Sequence, residues 1–349
     1  MSTPVLERLL ASALAAEQAV HSFTWQGGEP LLMGVRFFRT VVDLQVRHAR
    51  RGAVISNAVQ TNATLVTDEL ADLFAEYRFL VGVSIDGPAG IHDSLRRSAS
   101  GAGTHERVMR GIAPLRARGV ALNALAAVSS ANVDRPRDVY RSLCDSGILH
   151  HQYIPVVEPA ADRGHAPWGI GGRQWGDFLC ALFDEWLHDE GRVCVRLFDA
   201  VLAALVGDGP GLCTMETDCR HCLVVEHNGD VYPCDFYVQP DLLLGNVTTT
   251  DLSAIGDSPA FRRFGLRKAE LPYECAACPS LPLCAGDCPR HRAAPGGGPG
   301  AKSVLCEGWK IFFAHALPRM RRIARRIEVA RSAEVARSAE LERTAGRNR

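Results

Sequence analysis

Apolar residues recur in two alternating periods along the first part of the chain. Short, largely apolar runs of five to nine residues stand between longer stretches in which apolar positions return every three or four residues. The short runs His21–Trp25, Val54–Gln60, Phe79–Ile85, Val120–Val128 and Gln152–Val157 read as strands. Phe79–Ile85 is apolar apart from Ser84, as a buried parallel strand should be. The longer stretches Gly34–Arg51, Thr67–Tyr77, Thr104–Arg118 and Asp134–Ser146 read as amphipathic helices. Thr67-Asp68-Glu69 and Thr104-His105-Glu106 place a capping hydroxyl and an early acid at two helix starts. This alternation predicts a parallel sheet, open or barrel-like. A helix over Pro4–Ala19 precedes the first strand, as if the strand it should follow were missing.

Composition changes the picture at one place. None of the twelve cysteines occurs before Cys144, and eight lie between Cys213 and Cys288, with Cys306 just after. The shift marks a boundary near residues 190–212, where Gly207-Asp208-Gly209-Pro210-Gly211 reads as a loop. The expected division is a first domain over 1–190, a cysteine-rich domain over 191–327 and a tail over 328–349. Pro295–Gly300 is a flexible loop by composition, and EVARSA repeats in tandem at 328–333 and 334–339. A six-residue step holds no helical face, so the tail reads as low-complexity helix or disorder rather than a coiled coil.

Charge excludes more than it suggests. Lys plus Arg equals Asp plus Glu at 39 each, which gives no sign of a nucleic-acid partner. The ten Arg and four Glu from His315 to Arg349 read as a solvated helix. No leader pattern opens the chain and no apolar run nears the roughly 18 residues a membrane span needs. A soluble cytoplasmic protein is expected. Thiols stay reduced in that compartment, so metal binding is the leading explanation for most of the cysteines.

Two groups of cysteines stand out. One is Cys213-x5-Cys219, then Cys222 and Cys234; the other is Cys275-x2-Cys278-x5-Cys284-x3-Cys288 with Cys306 beyond. Zinc and iron–sulfur clusters both take four ligands, so two sites of either kind fit. The 2-5-3 run is crowded for one ion and suits two neighbouring clusters, which favours iron–sulfur over zinc. Asn228-Gly229 is a hairpin signal that puts Cys234 at the far end of a β-hairpin. Asp235 follows that ligand, either as a turn aspartate or as a proton acceptor beside the metal.

In the first part, Trp25-Gln26-Gly27-Gly28-Glu29-Pro30-Leu31 closes the first strand. Two glycines allow close backbone approach to a ligand, and Glu29 adds a carboxylate. Gln60-Thr61-Asn62, Ser84-Ile85-Asp86-Gly87, Ser129-Ser130 and Gln152 lie at or near the other strand ends. Ligands of parallel sheets bind at such ends, and together these residues give one polar rim.

WQGGEPLL, QTNATL, VSIDGP followed by IHD, GDVYPCDFYV with LGNV, and the 2-5-3 run with Cys306 together resemble the radical S-adenosylmethionine (SAM) superfamily. More closely, the chain is similar to the anaerobic sulfatase-maturating enzymes with a C-terminal twin-cluster (SPASM) domain, to about Ile327. The resemblance implies an α/β fold. It would be a partial (β/α)6 barrel, here lacking its first strand, with a small cysteine-rich domain of a β-hairpin and helices. It implies two auxiliary [4Fe–4S] clusters, one on Cys213, Cys219, Cys234 and Cys288 and the other on Cys275, Cys278, Cys284 and Cys306. Cys222 is then spare, and Cys144, Cys180 and Cys194 are small core residues. Gly27, Gly28, Glu29, Asn62, Ser84 and Asp86 would bind SAM.

The implied reaction is oxidation of a Cys or Ser of a sulfatase polypeptide to Cα-formylglycine. A reduced cluster cleaves SAM to a radical that abstracts hydrogen from the substrate Cβ. Asp235 takes the thiol or hydroxyl proton, and an auxiliary cluster accepts the remaining electron. A donor such as ferredoxin or flavodoxin would supply the reducing electron. Two alternatives stay open. One is another SPASM enzyme, forming a thioether or carbon–carbon crosslink in a peptide; the other is a non-catalytic electron-transfer or peptide-binding remnant.

The third cluster of the family needs CxxxCxxC after the first barrel strand, and that motif is absent here. Loss of strand and motif as one block is what an incomplete N-terminus would produce, through a misplaced start or a fragment. The 349-residue chain, reconstituted and reduced, is therefore expected to release no 5′-deoxyadenosine from SAM. Chromatographic detection of that product would reject the expectation.

Overall fold

Burial alternates along the strands and sets the architecture. In the computed structural model, which describes residues 1–157, 167–292 and 300–347, six parallel strands form one sheet. They are β1 (Val20–Trp25), β2 (Val54–Thr61), β3 (Leu80–Ser84), β4 (Ala121–Val128), β5 (His150–Pro155) and β6 (Cys194–Val195). Their spatial order is their chain order, and the sheet is open: β1 pairs with β2 alone and β6 with β5 alone. Along β4, Leu122, Ala124, Ala126 and Val128 are buried, while Asn123, Leu125 and Ala127 between them are half-buried. One face of the sheet is thus covered by helices, and the other is half-buried.

The covering helices are α1 (Thr3–Leu14), α2 (Gly34–His48), α3 (Asp68–Glu76), α4 (Ala89–Leu95), α5 (His105–Ala117), α6 (Pro136–Asp145), α7 (Gly172–Trp186) and α8 (Arg196–Leu205). The five expected strands and the helices α1, α2, α3, α5 and α6 match the sequence pattern to within a few residues. The elements β6, α4, α7 and α8 were not expected. Two residues are too few to show an alternation, and Arg196–Leu205 is apolar on too many sides to show a clear 3.6-residue period. Residues 194–205, inside the composition shift, therefore belong with the sheet.

The first helix, α1, contributes to two cores. Leu6, Leu10 and Leu14 enter the main core, whereas Leu9 joins a small second cluster with Val231, Val247 and Ile255. Arg8 reaches the same region, through Nε to the Val247 carbonyl (3.2 Å) and Nη2 to Asp251 (3.0 Å). One helix thereby ties the sheet to the cysteine-rich half. That half carries a three-stranded antiparallel sheet of β7 (Val224–Val225), β8 (Asp230–Tyr232) and β9 (Gly245–Asn246). The Asn228-Gly229 turn joins β7 to β8, with Gly229 at φ +94°. The loop expected at 295–300 lies, apart from Gly300, outside the described residues.

The C-terminal helix, Cys306–Arg347, returns to the first half and runs without a break through residue 327. Phe312 stacks on Phe198 (centroids 5.6 Å), and Phe183 meets Phe198 edge-on at 5.3 Å, all three essentially inaccessible. Its crossing with α7 is a glycine contact: a Cβ on Gly308 would lie 2.2 Å from the Gly172 carbonyl oxygen. Among the described residues, no helix is long and apolar enough to cross a membrane. Gly308→Ala forces two backbones apart and is expected to cost about 1–3 kcal/mol. A lowered denaturation midpoint with native helix content in the folded baseline is the expected result; an unchanged midpoint would contradict this packing.

Candidate functional site

Three consecutive strand ends build the polar rim. After β1, the Glu29 carboxylate accepts from Leu31 N (3.0 Å), the Thr61 hydroxyl (2.6 Å) and Asn62 N (2.9 Å). Glu29 is thus spent on bracing its own loop against the end of β2. What the brace leaves open is backbone: Gly27 sits at φ +141°, and a Cβ added to Gly27 or Gly28 would meet nothing within 4 Å. Asn62 Oδ1 is taken by Thr64, through N (2.9 Å) and Oγ1 (2.8 Å). On the open face, Gln60 Nε2 donates to Ser84 Oγ (3.1 Å). Gly82 makes room for that contact, because a Cβ there would stand 2.0 Å from Gln60 Oε1. Gly27, Gly28, Glu29, Asn62 and Ser84 therefore share one rim that fits a polar ligand approached by backbone.

Asp86 behaves differently. It is buried, and its carboxylate binds Arg96 through both oxygens (2.5 and 3.2 Å) and the Ala127 N–H (2.9 Å). The structure spends it on holding Arg96 at the rim, a residue the sequence reading missed. Behind it lies His92, fully buried, with its ring pushed down to about 4, mainly by burial and against the pull of Asp86. Neutral His92 accepts the Asp86 N–H at Nδ1 (3.3 Å), so Nε2 carries the proton and donates to Thr104 Oγ1 (3.1 Å).

The cysteines gather into two groups. Cys213 lies in electrostatic range of Cys219, Cys222 and Cys288, and Cys288 of Cys234. Cys275 senses Cys278 and Cys306, and Cys284 senses Cys275 and Cys306. The sets expected from the resemblance are thereby brought together, with Cys222 beside the first. Among the described residues no three His, Cys, Asp or Glu side chains close on one point as a single ion would need. Burial raises the thiols of Cys284 and Cys288 to about 12, and raises Cys234 further. Backbone N–H groups of Phe236, Gly286 and Arg290 face the sulfurs of Cys234, Cys284 and Cys288. Such amides stabilise sulfur that carries negative charge, so this donor set fits an iron–sulfur cluster.

The three-residue spacer between Cys284 and Cys288 sends them to different groups. Ala285, Gly286 and Asp287 all adopt positive φ, at 45°, 74° and 62°. Two non-glycine residues in that region are costly unless held. Arg292 holds them: its Nε, Nη1 and Nη2 groups donate to the carbonyls of Gly286, Lys268, Glu270, Ala285 and Asp287 (2.7–3.3 Å). The Asp287 carboxylate accepts from His291 Nδ1 (3.0 Å), Ser303 Oγ (2.6 Å) and Cys288 N (2.7 Å). Burial alone would raise that carboxyl; His291, Ser303 and the Cys288 N–H outweigh it and hold it below the usual range. Lys268 donates to the Cys213 carbonyl (2.5 Å). Burial lowers its ammonium, against the opposing pull of Cys219, Cys288, Asp287 and Cys213.

Asp235 is exposed beyond Cys234. Its Oδ1 accepts from Phe236 N (3.1 Å) and Cys234 Sγ (3.3 Å). No cation among the described residues pairs with it.

Comparison with known proteins accounts for both halves. Residues 1–141 match the radical SAM superfamily, and residues 213–279 match the SPASM iron–sulfur cluster-binding domain. A serine-type anaerobic sulfatase-maturating enzyme of Bacteroides thetaiotaomicron is 37% identical over 340 residues, covering 92% of this chain and 82% of that one. The chain belongs to the anaerobic sulfatase-maturating enzymes. The cysteine-type enzyme of Clostridium perfringens is 31% identical over 94% of this chain and 90% of its own. The structure of native anSMEcpe with bound AdoMet and Kp18Cys peptide superposes with TM-score 0.88 at 31% identity, covering 93% and 91% of the two chains. Streptococcus suis SuiB bound to S-adenosylmethionine, 15% identical with TM-score 0.63 over 88% of this chain and 70% of that one, shares the fold. The iron–sulfur reading of the cysteines, rather than zinc, is the family's.

The shift of His92 carries a sign. Its folded value of about 4 lies below the unfolded 6.5, so neutral His92 contributes stability in full above pH 6.5. That contribution is lost as pH falls toward 4. The stability difference between wild type and His92→Gln is expected to shrink by about 1–3 kcal/mol between pH 7 and pH 4. A difference constant with pH, measured by denaturant titration, would show that His92 is not held neutral.

Proposed function

We propose that this protein acts on a sulfatase polypeptide and oxidises a Cys or Ser side chain to Cα-formylglycine. When bound, SAM and the iron–sulfur clusters would supply the radical and carry the electrons. The chain's own residues do the rest. Gly27 and Gly28 present open backbone to SAM, Glu29 fixes their loop against Thr61 and Asn62, and Ser84 and the Arg96 that Asp86 holds complete the rim. Cys213, Cys219, Cys234 and Cys288 hold one auxiliary [4Fe–4S] cluster; Cys275, Cys278, Cys284 and Cys306 hold the other. Asp235 takes the proton from the substrate thiol or hydroxyl.

The observation that carries this reading is Asp235. It is solvent-accessible, free of any cation among the described residues, and fixed by its own backbone beside Cys234. An exposed carboxylate so placed is open to a substrate side chain and can accept its proton. The relatives named above, sulfatase-maturating in both serine and cysteine types, supply the substrate class. The reading includes a reducing, cytoplasmic setting, a small electron-transfer protein such as ferredoxin or flavodoxin as donor, and a division into a sheet domain that takes in β6 and α8, a cysteine-rich domain and a tail over 328–349. The third cluster's thiolates are not among residues 1–349, since the first cysteine is Cys144.

The test supplies those thiolates on an added N-terminal segment bearing a strand and CxxxCxxC. Sulfatase peptides with Cys or Ser at the target position are incubated anaerobically with SAM and reductant, and the aldehyde is trapped with a hydrazide. Aldehyde is expected from wild type, while Asp235→Asn keeps releasing 5′-deoxyadenosine with aldehyde formation reduced by about 10²–10⁴-fold. A thioether or carbon–carbon crosslink in place of the aldehyde would overturn the proposal.

A further inference from the structure

A short helix of the cysteine-rich half, Pro259–Leu266, turns its apolar side inward and its cationic side out. Phe261, Phe264 and Gly265 are buried, whereas Arg262, Arg263, Leu266 and the following Arg267 are exposed, Leu266 to 52%. Spacings of three to five residues put these four on one face. No acid occurs from Ser258 to Ala269. Among the described residues, no carboxylate lies within 4.0 Å of the three guanidinium groups. Asp218, against which Gly265 packs, is already bound by Arg220 through Nε and Nη2 (2.7–3.1 Å). Like charges one turn apart, as on Arg263 and Arg267, repel, and a solvated helix relieves this by interspersing acids. A helix C-terminus favours one nearby cation, which leaves the others without a reason inside the fold.

The back of this helix is joined to the first cysteine group. The Gly265 carbonyl accepts from Cys219 N (3.3 Å). A Cβ on Gly265 would stand 2.3 Å from Asp218 Oδ1, so the helix and the Cys219 segment meet with no room for a side chain. Phe264 meets Tyr237 edge-on (centroids 5.3 Å), and Tyr237 N donates to the Cys234 carbonyl (3.0 Å). Two thiols of the group therefore belong to segments in direct contact with the helix, whose outer face is cationic and free. Electron transfer between proteins falls off exponentially with separation, so a partner seated on that face approaches the group across one layer of protein. Three unpaired guanidinium groups call for carboxylates. The exposed Leu266 among them suits the surface of a folded protein better than a flexible polyanion. A small charged patch with one apolar contact is the pattern of a weak, rapidly exchanging encounter.

We propose that Arg262, Arg263, Leu266 and Arg267 form the docking face for a small acidic electron-transfer protein. Seated there, it takes the electron left by substrate oxidation from the cluster held by Cys213, Cys219, Cys234 and Cys288. One electron leaves the reduced cluster and reduces the partner's centre, and no bond of this chain forms or breaks. The inference rests on the two-cluster reading given above and adds the place where the partner binds.

The test uses the full 349-residue chain, reconstituted with iron and sulfide, reduced and freed of excess reductant. Oxidised flavodoxin, an acidic flavoprotein, is mixed with it by stopped flow, and flavin reduction is timed. The wild-type rate constant is expected to fall at least tenfold between about 50 and about 500 mM salt. At low salt, Arg262→Glu/Arg263→Glu/Arg267→Glu is expected to react at least tenfold more slowly than wild type, with unchanged iron content. Arg321→Glu/Arg322→Glu/Arg325→Glu makes the same change of net charge at exposed positions of the C-terminal helix, and is expected to stay within threefold of wild type. Equal slowing by both triple variants, a wild-type rate in the first, or a wild-type rate indifferent to salt would overturn the proposal. If the first variant loses iron, Arg262→Gln/Arg263→Gln/Arg267→Gln decides. Iron retained with at least threefold slowing supports the docking role, and iron lost again or an unchanged rate overturns it. Binding of a single-stranded oligonucleotide that the first variant abolishes, with flavodoxin kinetics unaffected, would give the face to nucleic acid instead. Wild-type chain that assembles no [4Fe–4S] cluster would refute the two-cluster reading and the proposal with it.

Discussion

A guanidinium whose N–H groups are all bound to backbone carbonyls lies at the centre of the cysteine-rich half. Arg292 joins the segment 268–270 to the turn 285–287, and that turn is three successive residues at positive φ. Without the guanidinium, inward-facing carbonyls would be buried unpaired and the turn would relax. With it, Cys284 and Cys288 are pointed into separate groups across only three residues. The apolar cluster of this half has few members, Val231, Val247 and Ile255 with Leu9 lent by α1. Polar cross-links do here what a hydrophobic core does elsewhere, and bound clusters would add to them.

The sheet solves the complementary problem. Its helix-covered face is a conventional core, continuous from Leu6 on α1 to Ala324 on the C-terminal helix. Its other face stays half-buried and partly polar, with Gln60 and Ser84 bonded to each other across β2 and β3. Rigid strands fix the rim while the carboxylates behind it are already spent: Glu29 on its loop and Asp86 on Arg96. This division separates shaping from binding. The charged groups that the motifs advertise are largely internal braces, and the atoms left to meet a ligand are backbone groups, hydroxyls and a guanidinium.

The two halves meet through α1 and the C-terminal helix. The first uses neighbouring sides for two different cores, and the second packs glycine to glycine on α7 before continuing outward. Such close crossings transmit position without side-chain slack. The thiol groups are therefore placed relative to the rim by helices far apart in sequence.

By itself the sequence determined the alternation of strands and helices and the hairpin that presents Cys234, and its motifs supplied the proposal for the rim residues and the cysteine groups. These signals are local: period, turn chemistry and motif spacing depend on neighbours a few residues apart. Only the tertiary structure decided what β6, α4, α7 and α8 contribute, that Asp86 faces Arg96 rather than the open rim, and that α1 serves both halves. Only it showed Lys268 and Arg292 buried, since an isolated Lys or Arg in a sequence reads as solvated surface. A charge becomes informative when its partners are known, and here those partners are backbone carbonyls up to 55 residues away.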